Sequence, residues 1–495
     1  LRCPRVAAPM VFEAEDEGRP LFSKGRTRHV VPSYTGGYSE PVSVRPPPKK
    51  IFYFVTSWVL FLEGLSGMIV LAVSFFYKNT LGVSPAVLST VTSLTALPWT
   101  LKPVYGFVSD SFPIFGYRRK PYLFIAGISG FLSYIVLGTM VNDPTSGFFC
   151  LLIASLGIAI ANVISEALVV ERSRGENKEF ATKLQSIIWG AQAVGSIIAA
   201  WSGGYLLMFM TDRQVFLVAS VAPLTLVGLC FITPDVKVDP SEARERDVMV
   251  KVKELFTAVS QKHILRPAIF IFLLQATPAS GSAWFYFYTN TLHFSAEFMG
   301  TINLVGSCCT LAGVFLFQGC LTHVPFRSVF IWSTLIATLL GLTQLILVFR
   351  WNVAWGIPDG FFCLGESAIL SVIGWVNTMP ILVLASRLCP EGMEATMYAL
   401  VMSMNNLGGI VGQQIGAIIT AALGVSATDL TNFWILVLIC NASTPLPLVL
   451  IGWVPSGDPQ VVLNEERLAG PVEDCEPDPS FDDYDDYGRI GGGSL

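Results

Sequence analysis

The sequence predicts an all-α membrane protein with about twelve transmembrane helices in two six-helix pseudo-repeats. Three observations carry that prediction. Only 14% of the residues are charged and 52% are hydrophobic. A soluble domain carries about 25% charged residues, so lipid must solvate much of this surface. From Ile51 onward, apolar segments follow one another, each long enough to cross a hydrocarbon core of about 30 Å at ~1.5 Å per residue. Finally, the second half of the chain repeats polar landmarks of the first.

Residues 1–50 are polar and rich in Pro, Gly and Arg, and read as a disordered N-terminal tail. They lack the apolar core of a cleavable signal, and Glu13, Glu15, Asp16 and Glu17 are wrong for a transit peptide. A chain that does not begin with Met fits a fragment or a mature form without its organellar targeting segment. Helices are expected near 51–77, 85–108, 121–141, 147–170, 183–209 and 214–232, which make an N-terminal half, 51–232. A linker, 233–266, follows. In it Val248, Val252, Leu255, Phe256 and Val259 recur at helical spacing and predict a short amphipathic helix at the membrane surface. The second half, 267–454, has expected helices near 267–291, 297–317, 327–349, 359–386, 395–423 and 430–454. The tail 455–495 is acidic around Asp482–Asp486 and is expected to be disordered.

The net charge of −5 reflects that tail and does not suggest a nucleic-acid partner. Lys49, Lys50, Arg118 to Lys120, Arg172, Arg174, Arg244 to Lys253, Arg327 and Arg387 all fall on one side of the predicted topology, which puts both termini on the cytoplasmic side. The cysteines lie mostly within apolar stretches without metal spacing, as small packing residues. Phe61-Leu62-Glu63-Gly64 parallels Leu273-Leu274-Gln275-Ala276, and Gly106-x-x-Ser109-Asp110 parallels Gly319-x-x-Thr322-His323. Arg172…Glu179-x-Ala181-Thr182 parallels Arg387…Glu394-Ala395-Thr396, all at offsets of roughly 210 to 215 residues.

The stretch Lys102–Tyr122, KPVYGFVSDSFPIFGYRRKPY, joins the second and third segments through a connection punctuated by Gly106, Pro113, Gly116 and Pro121. Its Gly106-x-x-Ser109-Asp110…Gly116-Tyr117-Arg118-Arg119-Lys120 resembles the loop signature of major-facilitator transporters. With Lys102-Pro103, Pro121-Tyr122, Glu171-Arg172-Ser173-Arg174-Gly175, Phe285–Asn290, Leu388–Gly392 and Ser403–Asn406, the chain resembles the folate–biopterin transporter family over about 51–454. That resemblance implies the major-facilitator architecture and the carriage of folate, biopterin or, in some relatives, S-adenosylmethionine. A plastid-envelope or plasma-membrane location and no cofactor are expected. It also implies a latch in which Asp110 pairs with Arg118 or Arg119 on the cytoplasmic side. His323 stands where the second copy would have an acid, so only the first copy should form a strong latch. Arg172 and Arg387, at equivalent helix ends, are candidate gate bases that cap carbonyls, pair with Glu171 and Glu394, or guide an anion.

Ionisable groups within apolar spans cost several kcal/mol unless they face protein or water. Glu63, Glu166 and Glu366 are such groups, with Gln275 the repeat counterpart of Glu63. In the implied architecture the first, fourth, seventh and tenth helices line a central cavity, so all four would converge there as substrate ligands; each carboxylate could instead merely fix packing. Gly408, Gly412 and Gly416 give the eleventh helix a small-residue face for close packing. Asn405 and Asn406 on that helix suit ligand contact or packing, whereas Gln413 and Gln414 suit packing. Trp284, Phe285, Tyr286 and Tyr288 read either as an interfacial belt or as a stacking surface for a flat ring.

An enzyme is disfavoured, since His29, His263, His293 and His323 are scattered and no nucleophile elbow, zinc motif or phosphate loop occurs. A channel would want a filter or charge rings, and a non-transporting receptor on the same fold remains an alternative. The sequence reading is therefore a secondary transporter with alternating access, moving folate or a related pteridine and coupled to protons. Glu63 is its principal substrate carboxylate, expected to be buried and unpaired.

Overall fold

The computed structural model describes residues 49–173, 178–235, 237, 262–321, 324–387 and 394–455. The two tails, the expected amphipathic helix of the linker and His323 lie outside the described residues. Among those described, nine helical spans are long and apolar enough to cross a membrane. Three further spans are interrupted or more polar, and the total is twelve.

The first span, α1, runs Lys50–Thr80 and contains a 3₁₀ turn at Ser66–Met68. The second, α2, is three short pieces: Pro85–Leu94, Leu97–Thr100 and Lys102–Ser111. Its sequence predicted one continuous helix. Pro98 and Pro103 each lack an N–H and restart the helix in its first turn, the position where proline is tolerated. There follow α3 (Lys120–Thr139), α4 (Pro144–Ser173), α5 (Lys178–Phe209) and α6 (Asp212–Ile232). Asp143 caps α4 by accepting from the backbone N of Thr145 and Ser146, and the Ser146 bonds hold its carboxyl below the usual range.

The seventh span, α7, is also broken, into Lys262–Gln275 and Gly281–Asn290. Pro278 stands between the pieces, so one backbone donor is missing there. The remaining spans are α8 (Ala296–Leu321), α9 (Phe326–Val348), α10 (Asp359–Arg387), α11 (Glu394–Ala422) and α12 (Phe433–Trp453). Large apolar side chains such as Phe315, Trp332 and Phe361 lie 66–75% exposed on the outer surface, as lipid contact requires.

The α2–α3 connection is a tight turn. Ile114 and Tyr117 exchange backbone hydrogen bonds at 3.0 Å, with Phe115 and Gly116 at φ 53 and 81 between them. Positive φ at both central residues is the geometry that closes such a two-residue loop. Just beyond the end of α6, Asp235 Oδ2 accepts from the backbone N of Arg119 at 2.7 Å and of Lys120 at 3.0 Å, capping α3.

The distribution of the core positions everything else. One buried cluster at the Lys78 end joins both halves, with Tyr77, Val83 and Leu88 packed among Trp284, Phe285, Tyr286 and Phe433. At the Arg118 end the buried side chains form two separate clusters. One holds Phe52, Leu123 and Ile164 of the first half, the other Phe270, Phe330 and Leu384 of the second. The aromatic run of α7, read from sequence as a belt or a stacking surface, is thus core: Trp284 is 8%, Phe285 7% and Tyr286 0% exposed. The reason is that the outer piece of α7 packs against α2 and α12 instead of facing lipid or the central space.

Candidate functional site

At mid-depth in the first half, five polar side chains gather. Glu63 on α1 lies three residues before the 3₁₀ turn, and Ser66 Oγ donates to its carbonyl at 2.6 Å. Its carboxylate accepts from Asn162 Nδ2 on α4 at 2.5 Å and from Gln192 Nε2 on α5 at 2.8 Å. Four residues along α4 from Asn162, and so on the same face, Glu166 Oε1 meets Lys102 Nζ of α2 at 3.2 Å. That ammonium also sits 5.0 Å from the centroid of the Trp99 ring. Lys102 and Glu166 both lie within electrostatic reach of Glu63.

Close backbone approach builds this group. A Cβ on Gly64 would run into the Gln192 carbonyl, and one on Gly195 into the Phe61 carbonyl, so only glycine lets α1 and α5 touch here. The expectation of an unpaired Glu63 is therefore corrected: both carboxylate oxygens have amide donors, delivered by α4 and α5. The Lys102–Glu166 pair is different in kind. Its side chains are unequally exposed, Lys102 16% and Glu166 45%, so the ammonium is largely shielded while the carboxylate reaches solvent.

The second half carries a pared-down copy. Gln275 Nε2 donates to Asn405 Oδ1 at 2.9 Å. Gln275 and Asn405 follow Glu63 and Gln192 at offsets of about 212 residues, and the α7 break follows the α1 turn at the same offset. Gly408, Gly412 and Gly416 of α11 lie against the carbonyls of Phe272, Thr277 and Ala279, and Ala279 N donates to the Gly412 carbonyl at 3.2 Å. The small-residue face thus receives the broken backbone of α7.

The other predicted site residues are placed as follows. Glu366 on α10 bonds Gln344 of α9, while its Oε2 is buried without a hydrogen-bond partner. No described contact brings it to the Glu63 group. Arg119 is 4% exposed and donates to Ser109 Oγ at 3.2 Å, and Arg118 lies beside it half-buried. The side chains of Asp110, Arg172 and Arg387 lie outside the described residues. Between the halves, Asn406 Nδ2 donates to the Trp99 carbonyl at 3.3 Å, Gln414 Nε2 to Ser93 Oγ at 2.6 Å, and Ser89 Oγ to Gln413 Oε1 at 3.2 Å. Toward the Lys78 end, Lys78 Nζ donates to Thr289 Oγ1 at 2.6 Å, and Tyr286 Oη donates to the Val83 carbonyl at 2.5 Å.

Lys102, Trp99, Asn162 and Gln192 were not singled out as site residues by sequence reasoning. Signals pointed to two of them: Asn162 and Glu166 are one helical turn apart, and Gln192 precedes Asn405 by the repeat offset already set by Glu63 and Gln275.

Comparison with known proteins is consistent across sequence and structure. The model of the BT1 family matches residues 63–469. The chain is 45% identical over 413 residues to a folate-biopterin transporter of Synechocystis sp., covering 83% of each protein. It is 28% identical over 411 residues to folate transporter 1 of Plasmodium falciparum, covering 83% of this chain and 81% of that one. Among solved structures, the nucleoside transporter NupG aligns with a TM-score of 0.62 at 16% identity, covering 82% of this chain and 98% of the other. A D-xylose-proton symporter aligns with a TM-score of 0.61 at 13% identity, over 82% and 98%. At such identities these structures speak to the fold alone.

Proposed function

The chain belongs to the BT1 family, and from that premise we propose that it is a proton-coupled secondary carrier of folate or a related pteridine. It is a multi-pass membrane transporter and not an enzyme. The observation that supports this substrate class best is the Glu63 carboxylate, held at mid-depth by two amides beside the Lys102–Glu166 pair. A pterin edge presents adjacent N–H donors that a carboxylate accepts in paired fashion, and the acidic tail of folate needs a cation. Gln275 and Asn405 supply the facing half with neutral hydrogen-bonding groups, and Glu366, with one buried oxygen unpartnered among the described residues, is the alternative carboxylate.

The same carboxylates are the proposed route of proton coupling, because moving a proton on and off a group that faces first one side and then the other ties its flux to the substrate. The Arg118 face is the cytoplasmic one by its concentration of bases, with both termini on that side in a plastid envelope or plasma membrane. The core that fuses the halves at the Lys78 face then supports reading this as an inward-facing state. Asp110 with Arg118 or Arg119, and Arg172 with Arg387, would close the cytoplasmic face in the opposite state. Uptake of labelled folate and biopterin into proteoliposomes, with and without an inward proton gradient, tests the proposal. Gradient-stimulated accumulation of either is the expected result; binding without accumulation, or neither, would refute it.

A further inference from the structure

The carrier reading does not say which cation meets the acidic end of the substrate, and the inference drawn here rests on that reading. Among the described bases, Arg118 and Arg119 lie at the Arg118 face, Lys78 is engaged at the closed end, and Arg350 pairs with Asp359 at 2.9 Å. Arg172 and Arg387 belong to the last turns of α4 and α10 by position. Lys102, inside the α2 span, is a base within electrostatic reach of Glu63. We propose that Lys102, seated on Trp99, is the subsite for a carboxylate-bearing end of the substrate, and that Glu166 occupies it until the substrate displaces it.

Four features carry this. First, an ammonium has three donors, and among the described residues Glu166 Oε1 is its one hydrogen-bond partner, at 3.2 Å, leaving capacity for a second carboxylate. Second, the Trp99 ring 5.0 Å away offsets lost hydration without consuming a donor. Third, Glu166 is 45% exposed, so releasing it returns a carboxylate to water instead of stranding a buried charge. Fourth, the subsite sits on the seam: Lys102 opens the last piece of α2, and α11 holds the Trp99 carbonyl through Asn406. Movement of α2 against α11 therefore displaces the ammonium, so a ligand held by it senses the state of the carrier. The result is a selective site. Glu63 serves the donor edge of the ring, and Lys102 rewards a ligand that ends in a carboxylate over one that does not.

The test is equilibrium binding to the full chain in nanodiscs, comparing folate with its α,γ-diamide, which keeps the shape and loses both tail charges. The native protein should bind folate roughly tenfold or more tightly than the diamide, the value of a charge-assisted hydrogen bond. Lys102→Gln should bring that ratio close to one by weakening folate, with the diamide affinity kept within about threefold, which also reports that the variant is folded. Lys102→Arg should retain most of the preference. Glu166→Gln removes the competitor and should tighten folate severalfold without moving the diamide, an arm that stands even if Lys102→Gln fails to fold. Equal weakening of both ligands by Lys102→Gln, a ratio that survives it, or a native protein indifferent to the diamide would overturn the inference while leaving the carrier reading intact. A native protein that binds neither ligand would overturn the carrier reading, and this inference with it.

Discussion

Replacing Lys78 with Met should open the closed end of the transporter. Met keeps the apolar stem and removes the ammonium that donates to Thr289 Oγ1 at 2.6 Å and lies 5.5 Å from the Tyr286 centroid and 5.8 Å from that of Phe285. These contacts join α1 to α7 across the two halves, so they exist only while the Lys78 face is shut. A hydrogen bond from a charged group contributes ~1.5–3 kcal/mol, and a cation–π contact at a partly exposed site about 0.5–1. Lys78 is only half-buried, so the lower part of that range applies, about 1.5–2.5 kcal/mol for the set. At about 1.4 kcal/mol per factor of ten, the equilibrium should shift roughly 10- to 60-fold toward the state open on this face. The assay is alkylation of Val83→Cys, a position 9% exposed in the shut state, in a background with the exposed Cys308 and Cys320 replaced. Its rate should rise with the open population. Thr289→Val should move it the same way by less, and the double variant should add little to Lys78→Met. An alkylation rate within about twofold of the parent, in protein that still binds ligand, would refute the reasoning, since even ~1 kcal/mol shifts the population more than that.

Glu63→Gln places an amide donor opposite one of the two amides that now donate to the carboxylate, at a cost of about 1–3 kcal/mol. It should abolish gradient-driven accumulation and lower the thermal midpoint, and normal pH-dependent uptake would move the site elsewhere. Asp235→Asn weakens the cap on Arg119 and Lys120 by roughly 1 kcal/mol; a small drop in midpoint with unchanged ligand affinity is expected, and an affinity change would show that the cap reaches the site. Gly204→Val should jam α5 against α8, since a Cβ there meets Gly300 Cα at 2.6 Å and the Ala296 carbonyl at 2.8 Å. Overpacking of this kind costs ~1–3 kcal/mol; a variant with native turnover in vesicle transport would argue that the two helices separate freely during the cycle.

Much of the fold was legible because its signals are local. Membrane spans announce themselves by length and apolarity, and the α2–α3 turn by Gly116 and the bases that follow it. The breaks in α2 and α7 were present as Pro98, Pro103 and Pro278, yet an apolar window averages over a proline, so both read as continuous. The aromatic run of α7 was misread for a related reason. Composition says that Trp284 to Tyr288 prefer an apolar or interfacial setting, and a buried seam, a lipid belt and a stacking platform all satisfy that preference.

The site divides along the same line. The sequence by itself determined that Glu63 and Glu166 stand in apolar spans, where a carboxylate needs protein or water around it, and that Gln275 mirrors Glu63 in the repeat. Only the tertiary structure decided their partners. Gln192 lies 129 residues from Glu63, and Lys102 lies 64 from Glu166. Those distances are closed by glycine-mediated contact of α1 with α5 and by the proline restart of α2, which set helix separation and side-chain direction. A one-dimensional pattern carries the cost of each buried polar group. Which group relieves that cost depends on how the helices pack, and packing is a property of the whole bundle.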